Sequence, residues 1–222
     1  MKHFTIAIDG PVGAGKSSVA DGVAARLGVL HLDTGAMYRA FAWKALKEGI
    51  STQDEAALTA LAERARIEVR FEQGAQRTLA DGADVTEEIR TPEISMAASN
   101  VSRFGAVRAR MVRLQQELAL GQSIVLDGRD IGAKVLPDAT LKIFLTASPE
   151  VRARRRLDEM LRKGQQASFD DVLADVERRD RQDATRAIDP LRPARDAQVL
   201  DCSALTQEQV TAEIVERLEQ KL

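Results

Sequence analysis

Five short apolar runs, each closing on turn or cap residues, recur along the chain: FTIAID (4–9), VLHLD (29–33), SIVLDG (123–128), LKIFLTA (141–147) and AQVLDC (197–202). Between them apolar positions return every three to four residues over 16–27, 36–48, 53–65, 106–120, 149–162, 169–187 and 207–221, the period of amphipathic helices. Two of the predicted helix starts carry capping chemistry. Ser148-Pro149-Glu150 sets a hydroxyl before a first-turn proline, and Thr206 with Gln209 has the spacing of a capping box. Strands separated by helices need crossover connections, and crossovers produce a parallel sheet covered on both faces. The pattern predicts an α/β fold with a five-stranded parallel sheet.

One region breaks the rhythm. Residues 67–90, IEVRFEQGAQRTLADGADVTEEIR, alternate in short runs punctuated by Gly74 and Gly82, which is the pattern of hairpins. A small antiparallel insertion is expected between about 66 and 103, inside a single domain covering 1–222. Neither an internal repeat nor a low-complexity linker interrupts the chain.

Composition narrows the partners more than the fold. The 222 residues hold 34 acidic and 32 basic side chains, a formal charge of −2, which argues against a nucleic-acid or membrane-surface binder. The single Cys202 excludes an internal disulfide and a thiolate zinc cluster. Met1-Lys2-His3 leads directly into a strand-like run, with no signal-peptide pattern and no long apolar span, so the expected location is the cytoplasm. Only eight of the basic residues are lysine; the arginine excess suits bidentate anion recognition wherever an arginine falls inside a motif.

The first motif is IDGPVGAGKSSVA (8–20). Gly10, Pro11, Val12, Gly13, Ala14, Gly15, Lys16 and Ser17 satisfy G-x-x-x-x-G-K-[ST], followed by a second hydroxyl, Ser18. The glycines allow successive N–H groups to point inward at an anion, Lys16 supplies a point charge for the β- and γ-phosphates, and the Ser17 hydroxyl can ligate Mg²⁺. The motif follows a predicted strand and opens a predicted helix, which is the context it requires. A nucleoside triphosphate site in a P-loop NTPase-type sheet follows. An N-K-x-D guanine-reading segment is absent, since the only asparagine, Asn100, precedes Val101. A small kinase needs a second anion site facing the first.

LDTGAMYRAFA (32–42) places Thr34 and Arg39 at the same sheet edge, with Arg39 able to grip an acceptor phosphate. VLDGRDIG (125–132) presents Asp127, Arg129 and Asp130 on a turn after a buried strand, where Asp127 suits outer-sphere Mg²⁺ coordination and Arg129 suits neutralisation of phosphoryl charge. RDRQDATR (179–186) sets Arg179, Asp183 and Arg186 at i, i+4 and i+7 of a predicted helix, a spacing that also describes an ordinary surface ladder. Residues 152–163, RARRRLDEMLRK, form an arginine-dense helix running into Gly164, either a solvated basic face or a hinge that closes over ATP.

IDGPVGAGKSS, LDTGAMYRA, DVTEEIRTPEISMAASNVS, VLDGRDIG and RDRQDATR, in this order over residues 6 to 186, resemble the bacterial cytidylate kinases. The resemblance implies transfer from ATP to CMP or dCMP with Mg²⁺, giving ADP and CDP or dCDP. It implies that the insertion at 66–103 binds the monophosphate and that residues 150–167 form a short lid. It assigns the cytosine to Ser99, Arg108 and Asp130, and the ribose and phosphate region to Arg179, Asp183 and Arg186. Thr34, Arg39 and Arg129 would hold the acceptor phosphate; Lys16, Arg129 and the lid residue Arg156 would act at the transferring phosphoryl group; and Ser17 and Asp127 would hold the metal. A monomer is implied as well. One departure is Ser18, where many relatives carry Thr or Gly.

The chemistry is consistent with those assignments. A phosphate monoester is largely ionised at pH 7, with a second pKa near 6, so the acceptor needs no general base. His3 and His31 lie on strand-like runs, where packing explains them. Two other readings are distinguishable: a kinase of similar fold for UMP or a non-nucleotide metabolite, which has no need of the Ser99, Arg108 and Asp130 set, and a nucleotide-dependent switch, which has no need of a second anion site.

Overall fold

The computed structural model describes residues 3–162 and 164–222; Met1, Lys2 and Lys163, the last residue of the arginine-dense run, lie outside the described residues. The chain opens with β1 (Thr5–Asp9), α1 (Lys16–Leu27), β2 (Leu30–Asp33), α2 (Thr34–Lys47) and α3 (Glu55–Arg64). The insertion follows as β3 (Ile67–Glu72), β4 (Ala75–Ala80), β5 (Ala83–Asp84) and α4 (Pro92–Val101). The chain then returns through α5 (Gly105–Ala119), β6 (Ile124–Gly128), a π-helical turn at Ile131–Val135, β7 (Leu141–Thr146), α6 (Pro149–Arg162), α7 (Phe169–Thr185), β8 (Gln198–Asp201) and α8 (Gln207–Glu219).

The five apolar runs pair into one parallel sheet in the order β2-β6-β1-β7-β8, as the crossover argument requires, and β3, β4 and β5 form a separate antiparallel sheet. Alternation along β1 sends Ile6 and Ile8 into the layer shared with α1 and α8, and Ala7 into the opposite layer with Met37, Phe41 and Met111. A third small cluster, Val12, Ala153, Leu157, Val172 and Val176, holds α6 and α7 together over the loop after β1. Among the described residues no helix is long and apolar enough to cross a membrane.

One helix went unpredicted and one predicted feature needs correction. The expected antiparallel insertion is present as β3, β4 and β5, and its second half also holds α4, started by Thr91, whose side chain accepts from the Ile94 amide at 3.2 Å, and by Pro92 in the first turn. Its signature is the one read correctly at Ser148-Pro149-Glu150, and it passes unread at Thr91-Pro92-Glu93. The correction concerns Arg186, which does not share a helical face with Arg179 and Asp183. α7 stops at Thr185 and Arg186 is already extended, at φ −61° and ψ 141°. Pro190 lies four residues on, and a helix continued to that point would lose a hydrogen bond and clash.

The site end of the sheet is fixed by Asp9. Its buried carboxylate accepts the amides of Ile131 and Gly132 at 2.7 and 2.8 Å, which pins the turn carrying Arg129 and Asp130 to the end of β1. Desolvation outweighs those bonds and raises the Asp9 pKa to about 6.

Candidate active site

The carboxyl ends of β1, β2 and β6 open into a cavity of about 500 Å³ that reaches from α1 across to α4, α5 and α7. Of the sequence-predicted residues only Gly10, Pro11 and Ala14 do not line it, and these three shape the loop from behind. Gly10 adopts φ 149°, and a Cβ there would lie 2.0 Å from the Leu145 carbonyl oxygen, so strand β7 can come this close only to a glycine. Gly13 and Gly15, at φ 76° and 88°, complete a loop that delivers the chain into the N-terminus of α1.

Lys16 is 6 % exposed and folds back so that Nζ donates to the Pro11 carbonyl at 2.8 Å. Desolvation, reinforced by the Arg129 guanidinium, lowers its pKa to about 7. Arg179 is treated in the same way: burial, then the charges of Arg129 and Arg156, depress it to about 10. Lys16, Arg129, Arg156 and Arg179 all line the cavity, with Arg129 disfavouring the charge of both Lys16 and Arg179 and Arg156 that of Arg179, a concentration of positive charge that an incoming polyanion relieves. Carboxylates answer part of this charge: Arg129 Nε donates to Asp183 Oδ2 at 2.9 Å, Arg156 stands 3.8 Å from Asp175, and Asp127, Asp183 and Asp9 favour the charged form of Lys16.

Ser17 and Asp127 meet directly, with Ser17 Oγ donating to Asp127 Oδ2 at 3.0 Å. The other carboxylate oxygen, Oδ1, faces His31 Nε2 at 2.7 Å, and His31 Nδ1 faces Asp21 at 2.6 Å. Burial pulls the His31 pKa down, but the Asp127 and Asp21 carboxylates overcome it and lift the value to about 10. His31 is therefore more than a packed strand residue, contrary to the sequence reading. A hydroxyl beside a carboxylate is a hard-oxygen pair, and it fits Mg²⁺, which takes a few protein oxygens and completes its shell with phosphate oxygens and water.

The remaining predicted residues gather on the far side. Thr34 Oγ1 donates to the Asp127 carbonyl at 2.7 Å. Arg39 Nη2 pairs with Asp33 at 2.7 Å, while its buried Nε has no hydrogen-bond partner among the described residues. Arg108, 3 % exposed, donates to Asp130, and burial raises the Asp130 pKa against the pull of Arg108 and Arg186. Ser99 enters from α4, whose Ser99 carbonyl accepts from Gln182 Nε2 at 3.4 Å. Gln115 and Arg186 also line the cavity, and among the described residues Gln115 Nε2 and Arg186 Nη2 have no hydrogen-bond partner, Arg186 Nη2 standing 3.7 Å from Asp130 Oδ1. Unsatisfied buried donors facing a cavity are costly unless a ligand accepts from them.

Sequence reasoning missed His31, Tyr38, Gln115, Lys134 and Asp189. Tyr38 lines the cavity one residue before Arg39, and burial raises its hydroxyl to about 12. Gln115 lies seven residues after Arg108, on the same face of α5, and that spacing is the one signal the sequence offered for it.

Comparison with known proteins bears on what this cavity serves. The family model described as cytidylate kinase matches residues 6–220. The chain is 50% identical over 220 residues to a cytidylate kinase of Pelotomaculum thermopropionicum, covering 98% of this chain and 97% of that one. It is 47% identical over 216 residues to a cytidylate kinase of Caldicellulosiruptor bescii, covering 97% and 96%, and 46% identical over 222 residues to one of Mycobacterium leprae, covering 100% and 98%. Among solved structures, an uncharacterized protein from Eubacterium ventriosum superposes with TM-score 0.54 at 12% identity, covering 98% of this chain and 99% of that one. A gluconokinase from Sinorhizobium meliloti superposes at 0.50 and 16%, covering 99% and 94%. Those two structures share the fold alone.

Proposed function

The chain belongs to the cytidylate kinase family, an ATP-dependent nucleoside monophosphate kinase that moves the γ-phosphate of ATP to CMP or dCMP and yields ADP and CDP or dCDP, and from that premise we propose how the residues of its cavity divide the work. The observation that carries the proposal is the convergence of Lys16, Arg129, Arg156 and Arg179 on one cavity, whose lining also includes the phosphate-binding loop and Arg39, Gln115 and Arg186, each with a buried nitrogen lacking a hydrogen-bond partner among the described residues.

Residues 10–18 hold the triphosphate of ATP, the loop amides and Lys16 meeting its β- and γ-oxygens. Ser17 and Asp127 would hold Mg²⁺, with His31 and Asp21 fixing the carboxylate from behind. When bound, the ion would supply neutralisation of phosphate charge. Thr34, Arg39 and Arg129 hold the acceptor phosphate, and the orphaned Nε of Arg39 gains its acceptor there. Its oxygen attacks in line, already ionised, so no residue has to remove a proton. Lys16, Arg129 and Arg156 take up the charge that spreads over the transferring group, and α6 with the loop up to residue 167 serves as the lid that brings Arg156 in.

The base is read by three groups. Asp130 accepts the exocyclic amine of cytosine, while Arg108 and Ser99 donate to its N3 and O2. Uracil presents an oxygen where cytosine has the amine, so Asp130 would face an acceptor and lose its bond. Arg179, Asp183 and Arg186 flank the ribose and its phosphate. The proposed enzyme acts as a monomer in the cytoplasm, on small molecules, without nucleic acid or membrane.

The test is ADP release from ATP and Mg²⁺ with CMP, dCMP, UMP, AMP, GMP or shikimate, for the wild type and for Asp130→Ala. Turnover confined to the cytidine nucleotides, with the CMP over UMP preference collapsing by about 100-fold in the variant, is the expected result. An unchanged preference in Asp130→Ala removes the base-reading assignment, and a monophosphate-independent ATPase would remove the division of labour as a whole.

A further inference from the structure

Behind the base-reading pair lies a second carboxylate that the reading above does not use. Asp189 sits beyond the end of α7, and its Oδ2 accepts from Arg108 Nε at 3.1 Å while its Oδ1 meets Lys134 Nζ at 2.9 Å. Its backbone carbonyl accepts from Arg186 Nε. One residue therefore touches both arginines that approach Asp130, and it does so from the side away from the nucleotide pocket, since Asp189 does not line the cavity.

The geometry at Arg108 is specific. A guanidinium carries five N–H donors on a rigid plane. Asp189 takes Nε, Asp130 takes Nη2, and Nη1 donates to the Ser102 carbonyl at a long 3.3 Å. Two carboxylates on adjacent nitrogens fix both the plane of the group and its rotation. They also balance charge: with Asp189 neutral, Asp130 alone would answer to Arg108 and Arg186 and would be drawn away from a base amine.

The backbone adds a second observation. Asp189 adopts φ 47°, a left-handed conformation among non-glycine residues, directly before Pro190. Aspartate and asparagine tolerate that region through local hydrogen bonding and most other side chains do not. The strained position aims its carboxylate at Arg108 and Lys134, residues 81 and 55 positions away in the sequence.

We propose that Asp189 is a positioning residue for cytosine recognition, orienting Arg108 and releasing Asp130 to face the base. The proposal rests on the assignment of Arg108 and Asp130 to the base.

Asp189→Asn tests it cleanly, because asparagine keeps the shape and the left-handed backbone and removes the charge. The expected result is a rise of about tenfold in KM for CMP and in the equilibrium dissociation constant for CMP measured without ATP, with kcat and KM for ATP within about twofold of wild type. The preference for CMP over UMP should fall by a similar factor. Wild-type CMP parameters would overturn the proposal, and so would an equal loss in KM for ATP, kcat and thermal stability, the mark of a merely structural role.

Arg108→Lys, measured in parallel, separates the two levels. If it changes CMP binding and Asp189→Asn does not, only the positioning role fails; if it leaves CMP binding intact, the base assignment fails and takes the positioning role with it. Should Asp189→Asn not fold, Lys134→Gln reads the same coupling from a half-exposed position, with KM for CMP expected to rise about two- to threefold. An unchanged KM in that variant also overturns the proposal.

Discussion

Arg152 of α6 and Asp180 of α7 face each other in a two-pronged ion pair, Nη1 to Oδ1 at 3.0 Å and Nη2 to Oδ2 at 2.5 Å. The same guanidinium donates through Nη1 to the Val12 carbonyl inside the phosphate-binding loop at 3.0 Å and through Nε to the Ala147 carbonyl at 2.8 Å. Three chain segments distant in sequence, the loop around Val12, the start of α6 with the residue before it, and α7, are joined at one buried cation, so the base of α6 is tied to the phosphate-binding loop and to α7.

Arg152→Ala should therefore cost more than a surface pair would. It strands the Asp180 carboxylate and two carbonyls, and losing one partner of a buried pair costs about 3–5 kcal/mol. For a chain of this length that corresponds to a fall of about 10 °C in melting temperature, read by calorimetry. A shift under about 2 °C would show that the pair is not the junction described.

The depressed pKa of Lys16 makes ATP binding pH-dependent. Free Lys16 titrates at about 7 because burial and Arg129 disfavour its charge; a bound triphosphate favours that charge and raises the value. Above pH 7 the free protein therefore binds fewer protons than the complex. Calorimetry in buffers of different ionisation heat should show proton uptake on ATP binding at pH 8, approaching one proton, and almost none at pH 6. Lys16→Met should abolish that uptake, which distinguishes it from titration of the nucleotide.

Arg39 is expected to act on the acceptor alone. Arg39→Ala should lower kcat/KM for CMP by about 100- to 1000-fold and leave KM for ATP within about twofold. Lysine in its place should restore little, because one nitrogen is committed to Asp33 and the remaining donors require the planar group.

The glycines of the loop differ in what they tolerate. At Gly10 a methyl group meets strand β7 backbone, so Gly10→Ala should destabilise the protein by about 3 kcal/mol or more. At Gly15 nothing lies within 4 Å of the same methyl group, and only the left-handed backbone at φ 88° opposes it, at about 1–2 kcal/mol. Chemical denaturation of the two variants should rank them in that order.

What the sequence disclosed follows from the range of the interactions involved. Glycine spacing, apolar periodicity and capping residues act over a few positions, which is why the parallel sheet, the phosphate-binding loop and most helices were legible. α4 carried such a local signal in Thr91-Pro92-Glu93 and was obscured by the alternating run before it. His31 was dismissed because its partner Asp127 lies 96 residues away, and Asp189 was invisible because Arg108 lies 81 residues before it. Arg186 lines the cavity although the helical periodicity that singled it out ends one residue earlier. Local rules gave its location a wrong reason, and the tertiary fold supplied the right one.

The main sheet ends on two unlike borders. At β2 the amide N–H of Asp33 donates to Gln76 Oε1 at 2.8 Å, and Gln76 Nε2 donates back to the Asp33 carbonyl at 3.2 Å, so a side chain from β4 occupies the backbone groups that another strand would seek. At β8 the sheet closes with four residues, and Val199 is 57 % exposed. A bare strand border is where chains recruit one another into aggregates, and brevity limits how many rungs a newcomer can gain. The insertion that carries β4 thus covers one border of the main sheet, and any variant that frees Gln76 from Asp33 exposes a second border to misassembly.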